Sequence, residues 1–266
     1  MRGGRENFAA NHSTDSRIIR IIPLMNPLLK ESYEETAKEL RSVKTKEQIK
    51  AVCSQAHKRL DDVYAKELFL SGMTVACCAG CHYCCHIKVD VQPGEIFLIA
   101  DFIRHRFSLT KQADILNKAQ ENWTKIEPMS LDQHLNAGLT CPLLDEGKCS
   151  VYPVRPDSCR EAHSLRSEPC KKVFENPEST EDFAEQIAGV KLAISITQIG
   201  ISNAFEEAGY DSQPYDLNAA LIQALQNPAC ERRWRDGKTA FPKNMLAKDW
   251  PKGMTIGKVF SQYNSP

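Results

Sequence analysis

The sequence has no surplus of charge: Lys+Arg and Asp+Glu both total 34 in 266 residues. A chain whose main partner is nucleic acid or an anionic membrane ordinarily carries a basic excess, so neither partner is expected. Long hydrophobic runs are also missing. Residues 1–16 are polar and hold no apolar region of signal-peptide length, and Ile18-Ile19-Arg20-Ile21-Ile22 is too short and interrupted to export or span anything. The longest apolar stretch, residues 187–204, is broken by Lys191, Ser195, Gln198 and Asn203, which suits a buried helix better than a lipid span. There is no glycine-rich phosphate loop, internal repeat or alternating βα series, which argues against a nucleotide-binding doubly wound sheet. Without an export signal the expected location is the cytoplasm, where thiols are kept reduced.

Cysteine is what the chain has in plenty. Of its 11 cysteines, nine fall between Cys77 and Cys170, and five crowd into Cys77-Cys78-Ala-Gly-Cys81-His-Tyr-Cys84-Cys85. Thiols at this density are targets for oxidation and stray metals unless they are tied up. A reducing compartment disfavours disulfides, so the expectation is metal ligation.

At 42% hydrophobic content the chain can bury one substantial core. Residues 1–25 read as a flexible leader and 26–266 as a single, mainly α domain, with an irregular cysteine-rich metal-binding insert at 70–172. The pattern turns helical from Pro27. Thr45 followed by Gln48 fits a capping box. An apolar stripe through Ile49, Cys53, Ala56, Leu60, Val63 and Leu68 runs to about Leu70 before Gly72 stops the helix. On that stripe Cys53 reads as a small buried hydrophobe, and Cys230, near Trp234, reads likewise. Ile87, Val89 and Val91 alternate with polar residues as in a short strand, Pro93 opens a helix through Ile103, and Leu109–Ile126 reads as a more polar surface helix. The segment 141–170, with four prolines, reads as irregular backbone that bound metal would support. Ser179 and Asp182 suggest a helix start, followed by an apolar face through Ile187, Val190, Ile194, Ile201 and Phe205, with Gly209 as stop. Asp216 is positioned to cap Leu217–Gln226, and Pro228 to open a last helix through Trp234.

Cys81-x-x-Cys84 is a common way for one loop to offer two thiolates to one ion at about 2.3 Å. Counted from Cys78, the run has the C-x-x-C-x-x-C spacing of bacterial ferredoxins. Counted from Cys77, it has the spacing of radical SAM enzymes, but those require a βα barrel that the helical pattern does not offer. His82, His86 and His163 neighbour the cysteines and are alternative ligands. Lys148, Arg155, Arg160 and Arg166 lie on segments that would surround an anionic thiolate centre, with Arg155 and Arg160 the expected contacts to the bound cofactor. For Glu95, a favourable charge at a helix N-terminus is a sufficient account.

Val75-Ala76-Cys77, Gly80-Cys81-His-Tyr-Cys84-Cys85, Cys141-Pro142-Leu143-Leu144, Cys149-Ser-Val-Tyr152, Arg155-Pro156 and Cys159-Arg160 together resemble the YkgJ-type cysteine-cluster family, described as zinc- or iron-chelating. The likeness covers about residues 70–172, and Asp216-Leu217-Asn218 resembles the family's C-terminal helix. It implies that Cys81, Cys84, Cys85, Cys141, Cys149, Cys159 and Cys170 are ligands, with Cys77 or Cys78. Eight thiolates exceed the need of one tetrahedral ion, so two centres, or a cluster plus a second role, are expected.

The expected function is a cytoplasmic metal-binding protein holding an iron–sulfur cluster, zinc or both. Iron–sulfur is favoured because the run crowds more sulfur into one loop than a single zinc needs. Flagellin lysine N-methylases are distant members of the same grouping, so the resemblance also implies a methylase using S-adenosylmethionine on a protein substrate. A structural zinc module for protein contacts is the third reading.

Overall fold

The computed structural model describes residues 16–178 and 184–249. Helices dominate them. α1 (Ser16–Ser42), α2 (Ile49–Ser71), α3 (Pro93–Arg106), α4 (Leu109–Ile126) and α5 (Leu131–Leu135) precede the insert. α6 (Asp157–Glu161) and α7 (Ser167–Glu175) lie in it, and α8 (Ala188–Glu207), α9 (Leu217–Gln226) and α10 (Pro228–Arg235) follow. Four two-residue strands form two separate pairs: β1 (Asp90–Val91) with β4 (Tyr215–Asp216), and β2 (Leu144–Asp145) with β3 (Lys148–Cys149), both antiparallel. The mainly α expectation holds.

Local chemistry sets several of these boundaries. Gln48 Oε1 accepts from the backbone of Lys44 (2.7 Å) and Thr45 (3.2 Å), the return half of a capping box. α2 stops where Gly72 takes φ +64°, a left-handed cap that glycine adopts without strain. Asp216 caps α9 by accepting from Asn218 N (2.9 Å) and Ala219 N (3.1 Å).

The core joins α2, α3, α4, α8, α9 and α10 through Ile49, Leu60, Ile96, Phe97, Ile103, Ile194, Leu221 and Trp234. α1 lies along α8 and comes very close to it at Gly200, where a Cβ would stand 2.6 Å from Leu29 O. Ser32 and Thr36 are buried there and return their hydroxyls to their own helix, to Leu29 O and Ser32 O. β1–β4 pairing places Asp90 opposite Asp216 and so ties the arm after the cysteine loop to the start of α9.

Several expectations are corrected. α1 begins at Ser16 rather than near Pro27, whereas residues 1–15 lie outside the described residues, as does the suggested helix start at Ser179 and Asp182. The buried part of the α2 stripe ends at Leu60; Phe69 and Leu70 are 85% and 64% exposed, because the last turns of α2 run past the neighbouring helices. The alternation at 87–92 yields only two paired residues. Segment 141–170 is more regular than expected, since a hairpin and two short helices give its backbone internal partners.

Candidate metal centre

Five pieces of backbone bring the thiols together. In the first, Gly80 (φ +92°) allows a turn closed by Cys81 N donating to Cys78 O (3.0 Å). A single 3₁₀ turn, Tyr83–His86, then carries Cys84 and Cys85, with Cys85 N donating to His82 O (2.9 Å). The second piece is joined directly to the first, because Cys141 N donates to Cys85 O (2.8 Å). From there Leu144 N returns to Cys141 O (3.0 Å), and the β2–β3 hairpin sets Cys149 opposite Leu144. α6 supplies Cys159 and α7 supplies Cys170. α7 packs on the 3₁₀ turn through Phe174, whose ring centroid lies 4.5 Å from that of His86 and 5.7 Å from those of His82 and Tyr83.

All 11 cysteines are free thiols, so no disulfide framework competes with ligation. Cys53 and Cys230 are buried in the apolar core, away from this set, as their positions on apolar faces suggest.

The thiols fall into two groups by what perturbs them. Burial pushes Cys141 up to about 12, and Cys149 and Cys84 add to the effect. Burial raises Cys159 well above the usual thiol range, with Cys141, Cys84 and Cys149 contributing. Cys149 is raised by burial and drawn partly back by Arg155. Cys85 and Cys84 share a hydrogen bond that holds Cys84 down to about 7 and pushes Cys85 up. On the other side of the loop, Cys77 and Cys81 are raised by burial and then by one another's neighbours, Cys84 and Cys170 among them. Cys84 is common to both groups.

This chemistry fits a metal. Buried thiols such as Cys141 and Cys159 are costly to ionise in isolation, and thiolate is the form that binds metal; a cation between them supplies the missing compensation. Among the described residues no three thiols lie within 4.8 Å of one another. The edge of a tetrahedral ZnS₄ site is about 3.8 Å, given Zn–S bonds of about 2.3 Å.

The two expected cofactor-facing arginines have different surroundings. Arg155 stacks over Tyr152 (4.2 Å), reaches Asp61 Oδ1 (3.2 Å) and lies close enough to Cys149 to favour its thiolate. Arg160 is turned toward α2. It donates to Arg155 O (3.1 Å), Pro153 O (2.9 Å), His57 Nδ1 (3.2 Å) and Asp61, and so fixes the 153–160 segment against the helical core. Arg166 pairs with Glu185. His163 is spent on backbone: Nε2 accepts from Ile187 N (2.9 Å) and Nδ1 faces Glu161 O (2.8 Å), so it has no lone pair for a metal. His82 and His86 form the aromatic group with Phe174, and His82 Nδ1 is buried without a hydrogen-bond partner.

A second cluster was not legible in the sequence: ligand-type atoms of His57, Glu95 and Asp157 lie within 4.8 Å of one another. Its parts come from α2, α3 and α6, so only packing brings them together. Arg160 excludes metal ligation through His57. A guanidinium can only donate, so Nδ1 is the acceptor and Nε2 carries the proton, facing Asp157 Oδ1 at 3.3 Å. Burial and then Arg160 push the imidazole down to about 3, which keeps it neutral. Glu95 accepts from Gln92 N (2.6 Å) at the start of α3 and from Asp157 N (2.6 Å) at the start of α6. It therefore does more than complement its own helix: it anchors the turn that presents Cys159.

No curated protein and no solved structure matches the chain. Residues 77–180 match the CxxCxxCC family, described as "Putative zinc- or iron-chelating domain", and the family motif falls on Cys78, Cys81, Cys84 and Cys85. The matched stretch holds the 77–85 loop together with Cys141, Cys149, Cys159 and Cys170, and its description supports metal binding by this part of the chain.

Proposed function

We propose that the protein holds an iron–sulfur cluster among the thiols that meet at the Cys85–Cys141 contact, with ligands drawn from Cys84, Cys85, Cys141, Cys149 and Cys159, and that it serves in electron transfer or in holding the cluster. The observation that carries this reading is the join of two distant stretches through Cys141 N and Cys85 O, beside which Cys84, Cys85, Cys141, Cys149 and Cys159 are close enough to perturb one another's thiols. Two further features support iron–sulfur over a lone zinc. The thiols are spaced more widely than a single tetrahedral ion requires, and there are more of them than it takes. Arg155 beside Cys149 offers positive charge toward an anionic cluster. The bound group would supply one-electron chemistry or a stable inorganic core, and the protein's part is to fix the thiolates and limit solvent access.

Protein purified without oxygen is expected to be brown, to absorb near ~400 nm and to bleach with dithionite, as thiolate-bound clusters do. A colourless preparation with stoichiometric zinc and no acid-labile sulfide would refute the cluster and leave the zinc reading.

A further inference from the structure

We propose that the cavity where α2, α3 and α6 meet is a site for a hard divalent cation of the Mg²⁺ or Mn²⁺ kind. The carboxylates of Glu95 and Asp157 hold the ion, with the Ser212 hydroxyl beside them. The site is built from oxygen atoms and is independent of what the cysteines bind.

Glu95 stands in the first turn of α3 and Asp157 opens α6. Packing of both on α2 brings their carboxylates within 4.8 Å of each other and of His57. Among the described residues, no other three His, Cys, Asp or Glu side chains meet this closely. Two carboxylates this near, in a place that excludes most water, repel one another unless a cation lies between them. The walls supply little compensation. Arg160 Nε comes only to 3.9 Å from Asp157 Oδ1, and the guanidinium is spent on Asp61, His57 Nδ1 and Pro153 O.

The oxygens have capacity to spare. Asp157 Oδ1 is buried without a hydrogen-bond partner. Glu95 accepts one backbone N–H on each oxygen, and a carboxylate offers about four lone-pair positions, so each oxygen keeps one. A second observation points to a ligand at the same place. Ser212 lines this cavity at 3% exposure, and its hydroxyl has no hydrogen-bond partner. A buried hydroxyl left unpaired is costly, so it marks a position where a ligand belongs. Gln92 lines the cavity too; its amide nitrogen goes to Ser202 Oγ (2.7 Å), leaving the carbonyl oxygen as a further donor atom to the ion.

The donor set selects the ion. Carboxylate, hydroxyl and amide oxygens suit Mg²⁺ and Mn²⁺, whereas thiolates select softer ions. Cys53 also lines the cavity, but burial keeps its thiol protonated, so it does not compete as a ligand. His57 is not a ligand either: its Nε2–H faces Asp157 Oδ1 and steadies that carboxylate. Positions the protein leaves open are filled by water, which Mg²⁺ gives up reluctantly.

Manganese is the probe, because the electron paramagnetic resonance signal of free Mn²⁺ disappears on binding and thiolates hold this ion weakly. The full chain is expected to take up about one equivalent of Mn²⁺, which excess Mg²⁺ displaces. Asp157→Asn should weaken uptake by about tenfold or more, and Ser212→Ala by a few-fold, both with unchanged helical circular dichroism. Added Mn²⁺ should raise the thermal midpoint of wild type and leave that of Asp157→Asn where it was. Wild-type protein that leaves the Mn²⁺ signal intact would overturn the proposal, as would equal uptake by wild type and Asp157→Asn. Should Asp157→Asn fail to fold, Ser212→Ala decides: binding equal to wild type would likewise overturn it. A zinc protein without labile sulfide would refute the cluster reading and leave this Mn²⁺ uptake unchanged.

Discussion

At the residue scale, protonation is the main issue. Asp157 is held well above the usual carboxylate range, first by burial and then by Glu95 alongside it. Its folded state thus keeps a proton that the unfolded chain releases above about pH 4. This term favours folding at low pH, and its benefit is lost as pH rises from the ordinary carboxylate range toward the raised folded value. Asp157→Asn removes the term at nearly unchanged side-chain size. The stability of Asp157→Asn relative to wild type should therefore improve by about 1–2 kcal/mol between about pH 5 and about pH 8, measured by denaturant unfolding. Parallel stability curves for the two proteins would show that the Glu95–Asp157 pair carries no such penalty.

At the element scale, the bundle depends on close approaches and caps. Gly200 marks where α1 and α8 touch: an added Cβ would meet Ser32 Oγ and would lie 2.6 Å from Leu29 O and 3.0 Å from Tyr33 N. Backbone atoms cannot swing aside, so Gly200→Ala should destabilise the protein by about 1–3 kcal/mol, read as a lowered midpoint in thermal unfolding. Gly189→Ala, on the same helix but with nothing within 4 Å of the added atom, is the control and should be neutral or mildly stabilising. A Gly200→Ala protein as stable as its parent would mean that α1 does not pack on α8 in this way.

Elements whose signals are local were readable from the sequence. Leu109–Ile126 and Leu217–Gln226 fall where Ser108 and Asp216 cap them, because a cap acts on its own first turn. α7 and the β2–β3 hairpin were not readable. Proline and cysteine obscure their short patterns, and their partners are supplied by the 3₁₀ turn and the 141–150 segment rather than by their own sequence.

At the scale of the whole molecule, a helical core presents a cysteine-rich insert through a few fixed ties. Glu95 holds the start of α6, Arg160 binds α2, and β1–β4 pairing secures the arm after the loop. The cysteine motifs were legible in the sequence as a family resemblance, but how their segments come together was not. That assembly depends on which face of α7 meets the loop and on the Cys85–Cys141 backbone contact, and both are tertiary. The His57–Glu95–Asp157 cluster was hidden for the same reason: its members are far apart in sequence and meet only once α2, α3 and α6 pack.

The central claim is that thiols from residues 77–85 and from 141–159 share one metal environment. X-ray absorption at the edge of the bound metal tests this most directly. The account predicts a sulfur-dominated first shell at about 2.3 Å, lost in Cys141→Ser/Cys159→Ser and unchanged in Cys53→Ser. A shell of nitrogen and oxygen, or a sulfur shell indifferent to the 141 and 159 substitutions, would contradict it.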